Sequence, residues 1–329
     1  MILVLIETEA EGLTLTSREA LSFARTLGEG LADRDLEAVV VGPLSDELRP
    51  HVLRHLGEHA VAVLHHADDE RLTAYGAAAW AASVVDVATA GSARLVIASG
   101  TPRGNEVIAH VATRLDILMA ANVIAVDSAE PLTVSRQVMG GGVFEEMRLE
   151  GDVAALSVAG HAVDAIPAGA PTDPEVRTLA PILTDSDLLA RVVRTEAVEV
   201  GGASALTSAR VVVGAGRGAG SADGFGDLLE LTDLLGGALG VSRVVTSLGW
   251  RPHHEQVGQT GSRISPDLYV ACGISGAIQH WAGCQSAKTI LAINTDADAP
   301  MVTKAHYAVI GDLHEVVPAI NEELKRRLA

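Results

Sequence analysis

Leu268-Tyr269-Val270-Ala271-Cys272-Gly273-Ile274-Ser275-Gly276-Ala277-Ile278-Gln279-His280 is the stretch on which the reading of this chain turns. Its first five residues are an apolar run short enough for a buried strand. Gly273-Ile274-Ser275-Gly276 follows, and small residues from about Ser275 predict a helix. Strand, glycine-rich turn and helix start offer free backbone N–H groups, a positive dipole end and no bulky side chain. A pyrophosphate needs those three things. The serine is followed directly by glycine, so the stretch does not fit the G-x-S-x-G elbow of serine hydrolases. His280 lies one turn into the helix. A lone helix histidine is most often structural, but beside a bound ring it could donate a hydrogen bond.

Working outward, the second half of the chain alternates strands and helices. A strand at Arg210 to Val213 runs into Gly214-Ala215-Gly216-Arg217-Gly218-Ala219, which satisfies G-x-G-x-x-G/A, with Glu230 or Asp233 available as a ribose acid. Gly220 to Gly224 intervene before helical periodicity begins near Phe225, which favours a plain glycine-rich turn over a nicotinamide site. Arg217 then sits on that turn as a guanidinium suited to bidentate pairing with phosphate. A strand is expected at Arg243 to Thr246, just after Ser242. Gln256-Val257-Gly258-Gln259-Thr260-Gly261 combines tight-turning glycines with amide and hydroxyl hydrogen-bonding groups. Asn294 ends an apolar strand at Thr289 to Ile293. Asp312, after a strand at Tyr307 to Ile310, is the natural N-cap of a last helix from about Leu313 to Leu328.

The first half alternates too. A strand at Ile2 to Ile6 precedes Thr16-Ser17-Arg18-Glu19, spaced as a capping box. Strands at Leu36 to Val41, Ala60 to Leu64, Leu95 to Ala98 and Val123 to Val126 enclose helices at about Ala74 to Ala90 and Asn105 to Leu115. That spacing implies a parallel sheet. Thr133 to Val138, Val143 to Met147 and Ala154 to Val158 then read as antiparallel strands, the first pair turned by Gly140-Gly141-Gly142. A proline-bearing stretch with a charged segment near Arg191 to Glu199 follows. The expected organisation is α/β throughout, as two open parallel-sheet domains: 1–164, a linker at 165–204, and 205–329.

Charge is uneven. Of 329 residues, 42 are acidic and 24 basic, a net charge of −18. Residues 1–204 hold 30 acidic and 14 basic side chains, a balance of −16, and residues 205–329 hold 12 and 10, a balance of −2. Such a field opposes nucleic acid and anionic membrane, so neither is an expected partner. No apolar run reaches bilayer length and no leader is evident, so a cytoplasmic protein without membrane insertion is expected. Two cysteines, Cys272 and Cys284, cannot build a disulfide scaffold and look like small buried thiols. His65-His66 and His253-His254-Glu255 hold ligand types without a third element, so no metal is assigned and solvated loops are expected there. The arginine-rich, Ala-, Val- and Gly-rich composition suits a bacterial chain.

Gly216-Arg217-Gly218, Gly240-Val241-Ser242-Arg243, Gln256 to Gly261, Pro266-Asp267-Leu268-Tyr269, Gly273 to His280 and Ala292-Ile293-Asn294, in that order, resemble the electron transfer flavoprotein alpha subunit. The resemblance covers about the last 120 residues. It implies an FAD-binding Rossmann-like domain (adenine nucleotide alpha hydrolase-like/DHS-like) at 205–329 and a scaffold and partner-docking domain at 1–164. It places FAD contacts at Arg217, Ser242, Arg243, Gln256, Val257, Gly258, Gln259, Thr260, Ser275, Gly276, Ala277, Ile278, Gln279, His280, Asn294, Asp312 and Leu313. Arg243 would lie by the isoalloxazine, Thr260 near N5 and His280 near the pyrimidine edge. No AMP is assigned to this chain.

The same resemblance implies a heterodimer with a beta subunit, taking electrons from flavin dehydrogenases of the acyl-CoA dehydrogenase type to a quinone-linked oxidoreductase, as in fatty acid beta-oxidation. A carrier must stabilise negative charge on its flavin, which a cation and a hydrogen-bond donor would do. No nucleophile or acid–base dyad is visible, so no catalytic residue is assigned and an electron carrier is expected rather than a substrate-converting enzyme. The competing readings are a nicotinamide dehydrogenase using Gly214 to Ala219, a nucleotide-binding regulator with two α/β domains, and an electron-bifurcating flavoprotein subunit.

Overall fold

A computed structural model describes residues 1–31, 35–139, 143–194 and 203–328. The chain divides into two compact units, Met1–Val138 with Phe144–Glu196, and Met139–Val143 with Ala197–Ala329.

The first unit opens with β1 (Ile2–Leu5), a small hairpin of β2 (Thr8–Glu9) and β3 (Gly12–Leu13), and α1 (Leu15–Gly30). Next come β4 (Leu36–Val41), α2 (Leu48–Glu58), β5 (Val63–Ala67), α3 (Ala77–Ala90), β6 (Leu95–Ser99) and α4 (Pro102–Leu115). β7 (Met119–Ala129), β8 (Leu132–Val138), β9 (Val143–Arg148), β10 (Ala154–Val158) and β11 (Glu175–Leu179) complete it. Nine strands form one sheet in the order β11-β5-β4-β1-β6-β10-β7-β8-β9. The run Ile2-Leu3-Val4-Leu5 is apolar at every position because both its faces are covered. Ile2 and Val4 join the core on one face, with Leu21 and Phe23 of α1, and Leu3 and Leu5 join the other, with Val84 of α3 and Val107 of α4.

Several sequence expectations are corrected here. β10 runs parallel to both β6 and β7, not antiparallel, because the chain re-enters the sheet between them. The cap of α1 is Thr14, whose hydroxyl accepts from Ser17 N at 3.2 Å. Glu19 does not close a capping box; its buried carboxylate accepts from His161 N at 3.0 Å and pairs with the His161 ring at 3.1 Å. The stretch read as linker supplies an edge strand, since β11 pairs in parallel with β5 from Glu175↔Val63 to Leu179↔Ala67. The charged segment from residue 195 and the Gly140-Gly141-Gly142 turn lie outside the described residues. His65 and His66 are not loop residues: both are on β5, where His65 pairs with Glu37 at 2.5 Å and buried His66 bonds the Gly42 carbonyl at 2.9 Å.

The second unit begins with the short helix α5 (Ala203–Ser208), then β12 (Val211–Ala215), α6 (Gly226–Leu234), β13 (Ala238–Val241), α7 (Arg243–Ser247) and β14 (Leu268–Cys272). α8 (Ile278–Cys284), β15 (Thr289–Asn294), α9 (Pro300–Lys304), β16 (Tyr307–Ile310) and α10 (Leu313–Leu328) follow. Its five strands are all parallel, ordered β13-β12-β14-β15-β16. Val213, Val270 and Ile293 face α6 and α10, while Val212, Tyr269 and Ala292 face the opposite core with Cys284 and Met301. The expected strand at Arg243 to Thr246 is helix α7; the strand is Ala238–Val241. No helix among the described residues is long and apolar enough to cross a membrane.

Candidate functional site

From β12 the chain moves outward to β13, then returns past β12 to β14 and continues the other way. The crevice at such a reversal, beyond the carboxyl ends of the two strands, is where open α/β sheets hold ligands. Here those ends are Gly216 and Gly273. Gly216 N donates to the Cys272 carbonyl at 2.9 Å and Gly218 N to the Gly273 carbonyl at 3.1 Å, so the two turns lie backbone against backbone. A Cβ on Gly216 would stand 2.8 Å from Ile274 Cα, and one on Gly273 2.7 Å from Gly218 Cα. Gly273 (φ +61°) and Gly276 (φ +80°) also occupy the left-handed region that favours glycine.

The other sequence motifs converge on the same edge through a continuous set of contacts. Ser242 N donates to the Ala215 carbonyl at 3.0 Å, which sets Ser242 and Arg243 beside the β12 turn. Val257 N donates to the Val241 carbonyl at 2.9 Å, and Gln259 N to the Gln279 carbonyl at 2.8 Å, so the Gln256 to Gly261 loop bridges β13 and α8. Gly258 packs so closely on Gln279 that a Cβ would stand 2.9 Å from its carbonyl oxygen. Asn294 Nδ2 donates to the Ile274 carbonyl at 3.0 Å, and Gly311 N to the Asn294 carbonyl at 3.0 Å, which brings in Asp312 and Leu313. Asp312 Oδ1 accepts from His314 N at 2.9 Å, the capping contact expected of it. Leu313 is buried against Gly218 and Gly273. The segments that carry the residues named from the sequence thus follow the carboxyl ends of β12 to β16 or, in the Gln256 to Gly261 loop, bond to one of them. Ser275, Ala277, Ile278 and Gln279 are exposed there.

One detail differs from the sequence reading. Helix α8 starts at Ile278, not near Ser275, with Ala277 as an N-cap that offers no side-chain bond. Ser275 and Gly276 therefore belong to a loop, held by Met301 N donating to the Ser275 carbonyl at 3.1 Å. As the sequence favours, Gly214-Ala215-Gly216-Arg217-Gly218-Ala219 does not open a helix: Gly214 and Ala215 are inside β12, Arg217–Ala219 is one 3-10 turn, and α6 begins only at Gly226. Glu230, the candidate ribose acid, is bound to Lys325 at 2.5 Å and Asn321 at 3.2 Å between α6 and α10.

The electrostatics are those of a site with places left for a ligand. Ser242 Oγ is buried without a hydrogen-bond partner in the chain, and buried His280 Nδ1 has no well-aligned one, facing only the Val257 carbonyl. Buried polar atoms left unpaired are costly, so such atoms point to a missing partner. In this unit Arg210, Arg251, Arg326 and Arg327 have carboxylate partners, whereas among the described residues Arg217, Arg243 and Arg263 have none. Arg263, two residues beyond Gly261, was not singled out from the sequence. Thr246 and Tyr269 were also missed. The Thr246 hydroxyl lies 2.9 Å from the Arg243 carbonyl and 2.7 Å from Gln256 Oε1, and Gln256 Nε2 donates to Thr260 Oγ1 at 3.1 Å. Gln256 is buried, so this chain of bonds fixes where exposed Thr260 stands. The signal for Tyr269 was present in the sequence as a hydroxyl inside an otherwise apolar strand. His253–Glu255 is a 3-10 turn, not a metal centre. Buried Glu255 accepts two bonds from Arg251, at 2.7 and 2.5 Å, and no cluster of metal-ligating side chains occurs among the described residues. Cys272 and Cys284 are free, with burial pushing both thiols up to about 12.

Burial lowers His280 to about 4, against a weaker opposing pull from the Val257 carbonyl. The folded chain therefore keeps this imidazole neutral, while the unfolded chain protonates it below its ordinary value of 6.5. The stabilisation is complete above pH 6.5 and declines as pH falls towards 4, by about 3 kcal/mol over that window. His280→Gln should reduce the loss of stability across this window, read by urea unfolding at stepped pH; identical pH curves for both proteins would remove His280 as a cause of acid lability.

Comparison with known proteins agrees with this architecture. The chain matches the family model described as electron transfer flavoprotein domain over residues 2–183 and the one described as electron transfer flavoprotein FAD-binding domain over 205–285. It is similar to the electron transfer flavoprotein subunit alpha of Mycobacterium leprae, with 36% identity over 99% of this chain and 98% of the relative. The corresponding subunits of Bacillus subtilis (30%, covering 99% and 97%) and Paracoccus denitrificans (37%, covering 72% and 75%) are similar too. The residues at the sheet edge fit an FAD: an exposed loop from Ser275 beside turns that glycine packs closely together, a buried Ser242 Oγ with no partner in the chain, and arginines with no carboxylate of their own.

Proposed function

The chain belongs to the electron transfer flavoprotein alpha-subunit family, and on that premise we propose that it holds FAD along the carboxyl edge of its five-stranded sheet. In this reading it pairs with a beta subunit and carries electrons from flavin dehydrogenases, of the acyl-CoA dehydrogenase type, to a quinone-linked oxidoreductase. FAD supplies the redox chemistry; the chain supplies binding, orientation and charge. The glycines at 216 and 273 let the two turns pack backbone against backbone, which sets the exposed loop from Ser275 at the crevice for the pyrophosphate. Arg217 and Arg243 balance its negative charge, and Ser242 Oγ gains the partner it lacks. Gln256 sets the position of Thr260. Burial holds His280 neutral in the FAD-free chain, so the fixed positive charge at this edge comes from arginine. Residues 1–164, which hold 24 acidic and 11 basic side chains and so −13 of the net −18, serve as scaffold and docking domain.

The observation that carries this reading is the coincidence of unpartnered, buried Ser242 Oγ and of Arg217 and Arg243, which have no carboxylate among the described residues, with the crevice at one sheet edge. It is tested by purifying the chain co-expressed with its beta subunit. A yellow heterodimer with one FAD in this unit, reducible by a flavin dehydrogenase, is the expected result. A colourless protein that binds a nicotinamide dinucleotide would overturn the reading.

A further inference from the structure

Tyr269 is an unusual residue for its position. It lies in the middle of β14 with no exposed surface, and its hydroxyl has one partner, His280 Nε2, at 2.8 Å. Room for that hydroxyl is made across the sheet by Gly214 of β12, where a Cβ would stand 2.5 Å from Tyr269 Cζ. The two strands are paired in register at Gly214↔Ala271, so the sheet itself holds the phenol against the imidazole.

A phenol donates one hydrogen bond, and a neutral imidazole has one donor and one acceptor nitrogen. Were Nε2 the protonated nitrogen, both groups would present hydrogen to each other or the buried Tyr269 O–H would have no acceptor. No other acceptor lies within hydrogen-bond distance of it among the described residues. Tyr269 therefore donates, Nε2 accepts, and the ring proton sits on Nδ1. The opposite side of the ring agrees. Nδ1 makes no well-aligned hydrogen bond within the chain, and the group it faces is the Val257 carbonyl, which can only accept.

We propose that Tyr269 is a positioning residue that holds His280 as the neutral Nδ1–H tautomer, keeping the one ring N–H on the Val257 side and available to bound FAD. This rests on the FAD site above for its ligand, but the tautomer belongs to the chain alone. His280 would thus act as a fixed neutral donor. The second nitrogen is occupied, so the ring cannot turn over to present an acceptor without losing the Tyr269 bond.

The test uses the heterodimer with FAD, its histidines labelled with 15N, and the His280 signals identified by their absence in His280→Gln. At neutral pH the expected spectrum has a pyrrole-like Nδ1 and a pyridine-like Nε2. In Tyr269→Phe the preference for that tautomer should fall about tenfold, and the flavin midpoint potential should move while the FAD content stays that of the parent. A protonated Nε2 in the parent protein, a doubly protonated ring, or a Tyr269→Phe protein with unchanged tautomer and potential would each overturn the proposal. Should Tyr269→Phe fail to fold, the parent spectrum decides alone. Failure of the FAD reading would show instead as a heterodimer lacking flavin, in which the tautomer can still be read.

Discussion

Gly216→Ala should abolish FAD retention and destabilise the second unit by about 3 kcal/mol, at the upper end of what an overpacked methyl costs. The reason is geometric. Gly216 has an extended backbone (φ −110°), which alanine adopts readily, so no conformational preference is lost. The cost comes from contact: the new Cβ would meet the Gly273 carbonyl group and stand 2.8 Å from Ile274 Cα. Those atoms are backbone on the neighbouring turn, and no side chain can rotate aside. Relief requires the β12 and β14 turns to part, which breaks the Gly216 N to Cys272 carbonyl bond and distorts the crevice between them. Gly226→Ala is the matched comparison. It lies at the start of α6 with nothing within 4 Å of a Cβ, so alanine there should be neutral or stabilising by up to about 1 kcal/mol. Thermal unfolding and the flavin content of both purified heterodimers check the pair. Full FAD content in Gly216→Ala would mean that the crevice is not the pyrophosphate site.

The contrast between Gly216 and Gly226 also shows how far the sequence was legible. Apolar runs located four of the five strands of the second sheet: β12, β14 and β15 because strands covered on both faces are apolar throughout, and the exposed edge strand β16 because it keeps β-branched and aromatic residues. The motif loops were legible for a related reason: Gly-Ile-Ser-Gly and Gln-Val-Gly-Gln-Thr-Gly leave little for a core to do. What failed was local and depended on distant partners. Arg243-Val244-Val245-Thr246-Ser247 has the β-branched content of a strand but forms α7, because Gly240 and Val241 already end β13 and only Val245 is buried. Ala154–Val158 carried no sign of its neighbours, so its parallel pairing could not be seen. Glu19 had the spacing of a capping residue, yet it binds His161, 142 residues away. Tyr269 and Thr246 act through partners 11 and 10 residues distant, on other elements, and spacing along the chain does not report such contacts.

Arg217→Ala with Arg243→Ala should weaken FAD binding about 100-fold while leaving the stability of the FAD-free chain within about 0.5 kcal/mol of its parent. Each guanidinium is exposed and neither has a carboxylate partner among the described residues, so their removal takes no bond from the fold. A hydrogen bond to a charged group contributes about 1.5–3 kcal/mol, and two lost together give at least the stated factor. The double variant should also lose much of the salt dependence of FAD affinity, since exposed pairs are the ones that ions screen. Arg251→Ala should behave in the opposite way. Its guanidinium holds the buried carboxylate of Glu255 through two bonds, and stripping one partner from a buried pair costs about 3 kcal/mol of stability. FAD titration by fluorescence, paired with urea unfolding of the FAD-free chains, separates the two kinds of arginine. The assignment fails if Arg217→Ala with Arg243→Ala destabilises the FAD-free chain, or binds FAD with parental affinity at low salt.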